Sequence, residues 1–229
     1  MKNIVIVGGS TGIGSEIAKI LSPNHRVLLL ARSLDKLKVV QAACKENVTV
    51  QQFDLRSPNI KEDLTHAIKA CFTQVDVLIN NAGYLINKPF LELTAQDIEK
   101  SLTTNVSGLI QSCQAVIPFM QSSGGHIVNI GSMGGFQGSA KFPGLSIYST
   151  SKGAIATFSE CLAEEMKADN IQVNCLALGA AQTKMLETAF PGYVAPVSAE
   201  KMAEYIAHFS LTANAWINGK VIPVALSTP

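Results

Sequence analysis

Residues 3–14 read Asn3-Ile4-Val5-Ile6-Val7-Gly8-Gly9-Ser10-Thr11-Gly12-Ile13-Gly14, and this stretch decides the fold. An aliphatic run enters a turn with glycines at 8, 12 and 14. Ile13, Ile17, Ala18 and Leu21 then recur at helical spacing. A turn this tight between strand and helix needs backbone without Cβ. It also leaves main-chain N–H groups at the positive end of the helix dipole open to a phosphate. Gly8, Ser10, Thr11, Gly12, Ile13 and Gly14 are therefore candidate contacts for a pyrophosphate. The turn by itself does not separate a dinucleotide from another nucleotide-derived ligand, such as a methyl donor.

Outward from this unit, short aliphatic runs alternate with longer periodic stretches. Strands are expected at Asn3–Val7, Arg26–Ala31, Val48–Phe53, Val75–Asn80, His126–Ile130, Ile171–Leu178 and Lys220–Leu226. Most are apolar nearly throughout, as strands covered on both faces of a parallel sheet are. After the first helix, Ser57-Pro58 reads as the N-cap and N1 of the second. Thr94–Gln121 and Ser146–Asp169 are longer helices, and Ser198–Ser210 is the last. The pattern predicts one doubly wound α/β domain over residues 1–229, a parallel sheet with helices on both faces. The least regular segments, 131–145 and 183–197, both follow strands. Ligands bind beyond the carboxyl ends of strands in such a sheet, so these segments are expected to wall a substrate site.

Composition narrows the function. Of 229 residues, 47% are hydrophobic and 15% charged, against a typical charged share of about 25%. That excludes a disordered chain. A formal net charge of +1 offers no global field for nucleic acid. No apolar run reaches the ~18–20 residues of a membrane span, and the start, MKNIVIVGG, lacks a signal peptide's apolar core. Cys44, Cys71, Cys113, Cys161 and Cys175 are odd in number, far apart and without C-x-x-C. They read as reduced thiols of a cytoplasmic protein rather than as disulfides or a zinc site. His25, His66, His126 and His208 share no metal-ligand spacing, so no metal is expected.

The second strand ends Leu30-Ala31-Arg32-Ser33. An NAD site usually carries an acid here for the ribose hydroxyls. Ala31 has no carboxylate to repel a 2′-phosphate, and the Arg32 guanidinium offers one a fork of donors. This favours NADP(H), with NAD(H) possible; a solvated strand-end charge is the plainer reading of Arg32. Asp54, expected to end the third strand, could accept from an adenine amino group or simply sit in a turn. Asn80-Asn81-Ala82-Gly83 ends the fourth strand. Its small residues let the chain pass close to a flat ring, and its asparagines can tie strand ends together.

Tyr148-Ser149-Thr150-Ser151-Lys152 sets a phenol and an ammonium four apart, on one face of a helix. Tyr84 and Lys88 repeat the spacing, but Pro89 disfavours helix there. Reducing a carbonyl by hydride leaves an alkoxide that needs a proton, and oxidising an alcohol needs one removed. A free Tyr, with pKa ~10, is a poor base near neutrality. A downward shift of ~3 units is ~4 kcal/mol. One cation at ~4 Å in an effective dielectric of ~20 supplies about that much. Lys152 is thus expected to depress Tyr148. Ser132, just past the fifth strand, could donate to the substrate oxygen. Asn105, a poor helix former inside a helix, could hold a water linking Lys152 to solvent. Taken alone, Ser132 could equally be a turn serine and Asn105 a solvated one.

In order and near-spacing, Gly8-x-x-x-Gly12-Ile13-Gly14, Asp54, Asn80-Asn81-Ala82-Gly83, Asn105, Ser132 and Tyr148-x-x-x-Lys152 resemble the short-chain dehydrogenase/reductases of the compact type, over about Asn3 to Val224. The resemblance implies a seven-stranded Rossmann sheet in order 3-2-1-4-5-6-7. It implies Tyr148 as acid/base, Lys152 lowering its pKa and binding the nicotinamide ribose, Ser132 orienting the substrate oxygen and Asn105 holding the relay water. For the cofactor it implies the glycine turn with Arg32 and Ser33, Asp54 with Leu55, Asn81-Ala82-Gly83, Tyr148, Lys152 and Thr183, the last toward the carboxamide. It also implies a homodimer or homotetramer paired through Thr94–Gln121 and Ser146–Asp169.

The chain departs from that pattern at several points. Val7 stands where a Thr usually precedes the first glycine, Leu178-Gly179 replaces Pro-Gly, and Val221-Ile222-Pro223-Val224 replaces Asp-Gly-Gly. Ser132 to Tyr148 spans 16 residues, longer than is common, so Gly134–Lys141 is expected to bulge into the site or a neighbouring subunit. Met133, Phe136, Met185, Leu186, Phe190 and Tyr193 suggest a largely hydrophobic ketone or aldehyde. The expected function is an NADP-dependent reductase acting on a small-molecule carbonyl or alcohol. The competing readings are a catalytically idle dinucleotide-binding sensor or scaffold, and a nucleotide-sugar epimerase, which the length disfavours.

Overall fold

The computed structural model describes residues 1–44 and 46–226; Lys45 and 227–229, which the expected domain span includes, lie outside the described residues. Seven strands form one parallel sheet: β1 (Asn3–Val7), β2 (Arg26–Ala31), β3 (Val48–Gln52), β4 (Val77–Asn80), β5 (Gly125–Ile130), β6 (Ile171–Leu178) and, last in the chain, β9 (Val221–Val224). Their order is β3-β2-β1-β4-β5-β6-β9, as expected, with two short strands intervening in sequence before the last. Those two, β7 (Ala181–Gln182) and β8 (Val197–Ser198), pair with each other in a separate two-stranded sheet.

Alternation along β1 sorts the core into two layers. Ile4 and Ile6 face the layer of α1 (Gly12–Leu21), α2 (Leu34–Ala43) and α8 (Ala199–Thr212). Val5 and Val7 face α3 (Ile60–Lys69), α5 (Gly108–Val116) and α6 (Ser146–Glu165). Each fully buried aliphatic contributes about 1.5–3 kcal/mol. A further helix, α4 (Ala95–Leu102), joins α5 through a π-helical turn, Thr103–Ser107.

Three expectations need correction. The helix after β2 is α2, unforeseen because only Leu37 and Val40 of its ten residues are buried, which leaves a weak apolar stripe. Ser57-Pro58 does not open a helix. Asn59 is the N-cap of α3, and the Ser57 hydroxyl accepts from the Asn59 N–H and bonds the Asp63 carboxylate. Residues 183–197 are also more regular than expected, holding α7 (Lys184–Ala189) between β7 and β8. No helix among the described residues is long and apolar enough to cross a membrane.

Candidate active site

The carboxyl ends of β1, β4, β5 and β6 carry the site. At the end of β1, Gly8 has φ +94°, and a Cβ there would lie 2.4 Å from the Ala82 nitrogen. One on Gly14 would lie 2.1 Å from the Gly8 carbonyl. The glycine turn and Asn81-Ala82 therefore pack backbone to backbone, and the Asn81 amide locks them by donating to the Gly8 carbonyl at 2.7 Å. Thr11 is the extended N-cap of α1, yet its side chain makes no cap bond and the first turn holds no acid. The N–H groups of that turn stay available to an anion. Thr183 lies over the turn, its methyl 3.4 Å from where a Gly12 Cβ would be. Its hydroxyl accepts from the Leu186 N–H, which leaves the hydroxyl proton free to donate.

At the other end of this cleft, Arg32 is exposed just past β2. Ser33 caps α2, accepting from the Lys36 N–H at 3.5 Å. Asp54 lies two residues beyond β3, not at its end. Arg56 grips it with two side-chain donors, Nε to Oδ1 at 3.1 Å and Nη2 to Oδ2 at 2.8 Å. Arg56 first, and Arg32 more weakly, hold the Asp54 carboxyl below its ordinary range. An adenine amino group would share this acid with Arg56. Leu55 is buried in the core beneath.

The Tyr148-x-x-x-Lys152 pair stands on α6, as its spacing requires. Lys152 is only 4% exposed. Its Nζ donates to the Ile130 carbonyl at the end of β5, at 2.7 Å, and sits 5.9 Å from the centre of the Tyr148 ring. No carboxylate among the described residues pairs with it. Burial lowers its pKa to about 8. Tyr148 departs from expectation. Burial raises its pKa, and the lowering influence comes from the Ser132 hydroxyl beside it, not from Lys152. The hydrogen bond that the ammonium makes goes to the Ile130 carbonyl. Ser132 itself accepts from the Gly134 N–H at 3.2 Å, so its own proton can go to a ligand.

Asn105 is buried within the π turn, where the Gly108 N–H reaches back five residues to the Thr103 carbonyl. Its Oδ1 accepts from the Tyr84 N–H at 2.7 Å. Its Nδ2 donates to the Tyr84 carbonyl at 2.8 Å and to Ser151 Oγ at 2.9 Å. Both donors are spent within the protein, so one lone pair on Oδ1 is what the side chain can still offer a water. Gly83 separates the two groups: a Cβ there would lie 3.6 Å from Lys152 Nζ and 3.8 Å from Asn105 Oδ1. The second Tyr-Lys spacing is not helical. Tyr84 is held by Asn105, and Lys88 pairs with Asp97 at 2.9 Å.

A buried polar chain under the site was only partly foreseen. Asn80 donates to Asn129 Oδ1 and Asn129 donates to Ser159 Oγ, both at 2.9 Å, joining β4, β5 and α6. Asn129 stands between two aliphatics, Val128 and Ile130, and its partner Ser159 is 30 positions away, which hid the link. Of the expected substrate-facing residues, Met133 is buried, Phe136, Leu186 and Phe190 are half-buried, and Met185 and Tyr193 are exposed. The long loop after Ser132, through Gly134, Lys141, Phe142 and Leu145, walls a cavity of about 530 Å³ together with Phe90 and Ser149.

The family described as short chain dehydrogenase matches residues 2–193. The chain belongs to that family and is an oxidoreductase. It is 35% identical over 192 residues to an uncharacterized oxidoreductase of Staphylococcus saprophyticus, covering 81% of this chain and 76% of that one. It is 36% identical over 188 residues to carbonyl reductase family member 4 of Xenopus laevis, covering 80% and 77%. Among solved structures, ElxO with NADP bound superposes with a TM-score of 0.85 at 28% identity, covering 98% and 97%. Levodione reductase, at 24% identity, shares the fold with a TM-score of 0.86.

Proposed function

We propose that the protein is an NADP-dependent carbonyl reductase, acting reversibly on a secondary alcohol. The observation that carries this reading is Lys152. Among the described residues it is a buried ammonium with one carbonyl partner and no carboxylate, one helical turn from a phenol that has a serine hydroxyl at its side. A fold that needed only stability would not keep an uncompensated charge there.

The residues fit a nicotinamide dinucleotide. The glycine turn at the uncapped start of α1 suits the pyrophosphate, Asn81-Ala82-Gly83 and Lys152 the nicotinamide ribose, Thr183 the carboxamide, and Arg32 a 2′-phosphate. Bound there, the cofactor supplies or accepts the hydride at the carbonyl carbon. Tyr148, kept protonated by burial, donates its proton to the carbonyl oxygen as that carbon is reduced, giving the alcohol. Ser132 donates a hydrogen bond to the same oxygen. Lys152 carries the charge that makes the resulting phenolate tolerable, and solvent returns the proton to Tyr148. Asn105 fixes the Gly83-Tyr84 segment against Lys152 and offers Oδ1 to a relay water. The similarity to a carbonyl reductase and to an NADP-bound structure supports the substrate class and the cofactor.

The test is oxidation of NADPH and NADH, followed at the nicotinamide absorbance band against a panel of ketones and aldehydes. NADPH-dependent turnover of apolar carbonyls is expected. Arg32→Ala should weaken NADPH binding by ~1.5–3 kcal/mol, the range for a hydrogen bond to a charged group, and leave NADH unaffected. Tighter binding of NADH by the parent protein would remove the NADP assignment.

A further inference from the structure

Three loops surround the substrate side: 84–88 after β4, 131–145 after β5, and the α7 segment between β7 and β8. One side chain touches all three. Asn87 Nδ2 donates to the Ala189 carbonyl, at the last residue of α7, at 2.9 Å and across 102 positions of sequence. Its Oδ1 lies against Gly144 so closely that a Cβ there would come within 1.9 Å of it, and Gly144 also has φ +84°. The neighbouring Lys88 N–H donates to the Gly144 carbonyl at 3.0 Å.

The base of the α7 segment is closed separately. Ala181 pairs with Val197 and Gln182 with Ser198. Gln182 bridges the two arms, donating to Glu187 at 2.9 Å and accepting from the Ala195 N–H at 2.7 Å. These contacts hold the segment to itself. Among the described residues, the Asn87–Ala189 bond is the one hydrogen bond that joins 184–196 to any part of the chain outside 181–198. Met185, Tyr193 and Val194 of the segment are exposed, while Leu186 and Phe190 are half-buried.

We propose that Asn87 is a positioning residue that latches α7 across the substrate site and registers it against the long loop after Ser132. The unusual length of that loop then has a purpose: it carries Gly144 to the latch. Substrate capture then depends on how often the latch is made, because α7 carries Leu186, and Phe190 follows it at its C-cap. This last step rests on the reductase reading; the latch itself does not.

The experiment compares the parent with Asn87→Ala and Asn87→Asp. The aspartate keeps an oxygen against Gly144 and loses the donor to Ala189. Trypsin cleavage at the Lys184–Met185 bond, inside α7, reports latch opening without any activity. Both variants should be cut there roughly three- to tenfold faster, the effect of one lost hydrogen bond. The KM for the carbonyl should rise by a similar factor, with kcat falling by less. Unchanged cleavage in both variants, or an aspartate variant that behaves as the parent, would overturn the latch. Faster cleavage with an unchanged KM would make Asn87 a structural tie and overturn its positioning role. A parent that turns over no carbonyl would instead remove the reductase reading, with cleavage still deciding the latch.

Discussion

A buried base lies at each end of strand β5, one on the strand itself and one reaching it from α6, and the two are built on opposite principles. At its amino end His126, 1% exposed, has both ring nitrogens in use. Nδ1 meets the Ser210 carbonyl of α8 and Nε2 meets the Asn174 amide of β6, both at 3.0 Å. An Nδ1–H tautomer satisfies both contacts, so the neutral ring is complete and a second proton would have no acceptor. Burial lowers its pKa to about 4. At the carboxyl end, Lys152 has a single carbonyl for three donors and a pKa lowered only to about 8. It stays charged at neutral pH in a place that resists charge. Burial of a base is therefore not itself a mark of function. The mark is a hydrogen-bond inventory that the protein leaves open.

The largest effect should come from the open end. Tyr148→Phe removes the one proton that the reductase reading moves, and turnover should fall by ~10²–10⁴, the usual share of general acid–base catalysis. Binding of the reduced cofactor should stay within a few-fold in a fluorescence titration, since the ring and Lys152 remain. Retained turnover would make the Lys152 end as purely structural as the His126 end, and the comparison would break.

The closed end should show itself in acid. His126 has a folded pKa of about 4 and an ordinary value of 6.5. Between these, the unfolded chain binds a proton that the folded chain refuses, so stability rises with pH across that window. It is complete above pH 6.5 and shrinks by about 3 kcal/mol as pH falls to 4. Asp97, held near 2 by Thr94 and Lys88, contributes below its ordinary 3.8 and so outside the window. His25, lowered chiefly by burial, adds a smaller slope in the same sense. Urea unfolding at pH 7, 6, 5 and 4 checks this. In His126→Gln most of the slope should vanish; if it persists, another group owns it.

How much of this contrast was legible in the sequence follows from the range of the interactions. The glycine turn, the existence of the strands and the Tyr148-x-x-x-Lys152 face depend on local spacing and on apolar runs, so they could be read directly; the strand order came from the family resemblance alone. Helix α2 could not, because two buried residues make too faint a stripe. Ser57-Pro58 misled because a good capping dipeptide served a turn one step early. His126 offered only an absence of metal spacing, since its partners lie 48 and 84 positions away. Spacing fixes which face of the helix Lys152 shares with Tyr148, not how deeply the phenol is buried or which carbonyl the ammonium meets, and these set the raised Tyr148 pKa and the bond to Ile130.

The smallest effect is the sharpest test, because its sign differs between the two ends. Lys152 keeps its charge at pH 7 although its folded pKa lies below the ordinary 10.5. Holding that proton in the folded state therefore costs about 3 kcal/mol relative to the neutral side chain. Lys152→Met keeps the length and apolar bulk of the stem and removes the charge, and it forfeits the bond to Ile130, worth about 1.5–3 kcal/mol for a charged donor. The balance predicts no loss and a gain of up to about 1.5 kcal/mol, or a rise of up to ~6 °C in Tm for a chain of this size, in a protein that has lost turnover. His126→Leu, also an apolar replacement, should do the opposite, since it takes the ring donor from the Ser210 carbonyl and leaves one Asn174 amide proton unpaired, the other still held by the Ile217 carbonyl, at about 1–3 kcal/mol. Calorimetry on the two variants reads both signs. Loss of stability in Lys152→Met would mean that the ammonium is compensated within the fold, and the claim that the protein holds it for a ligand would fall.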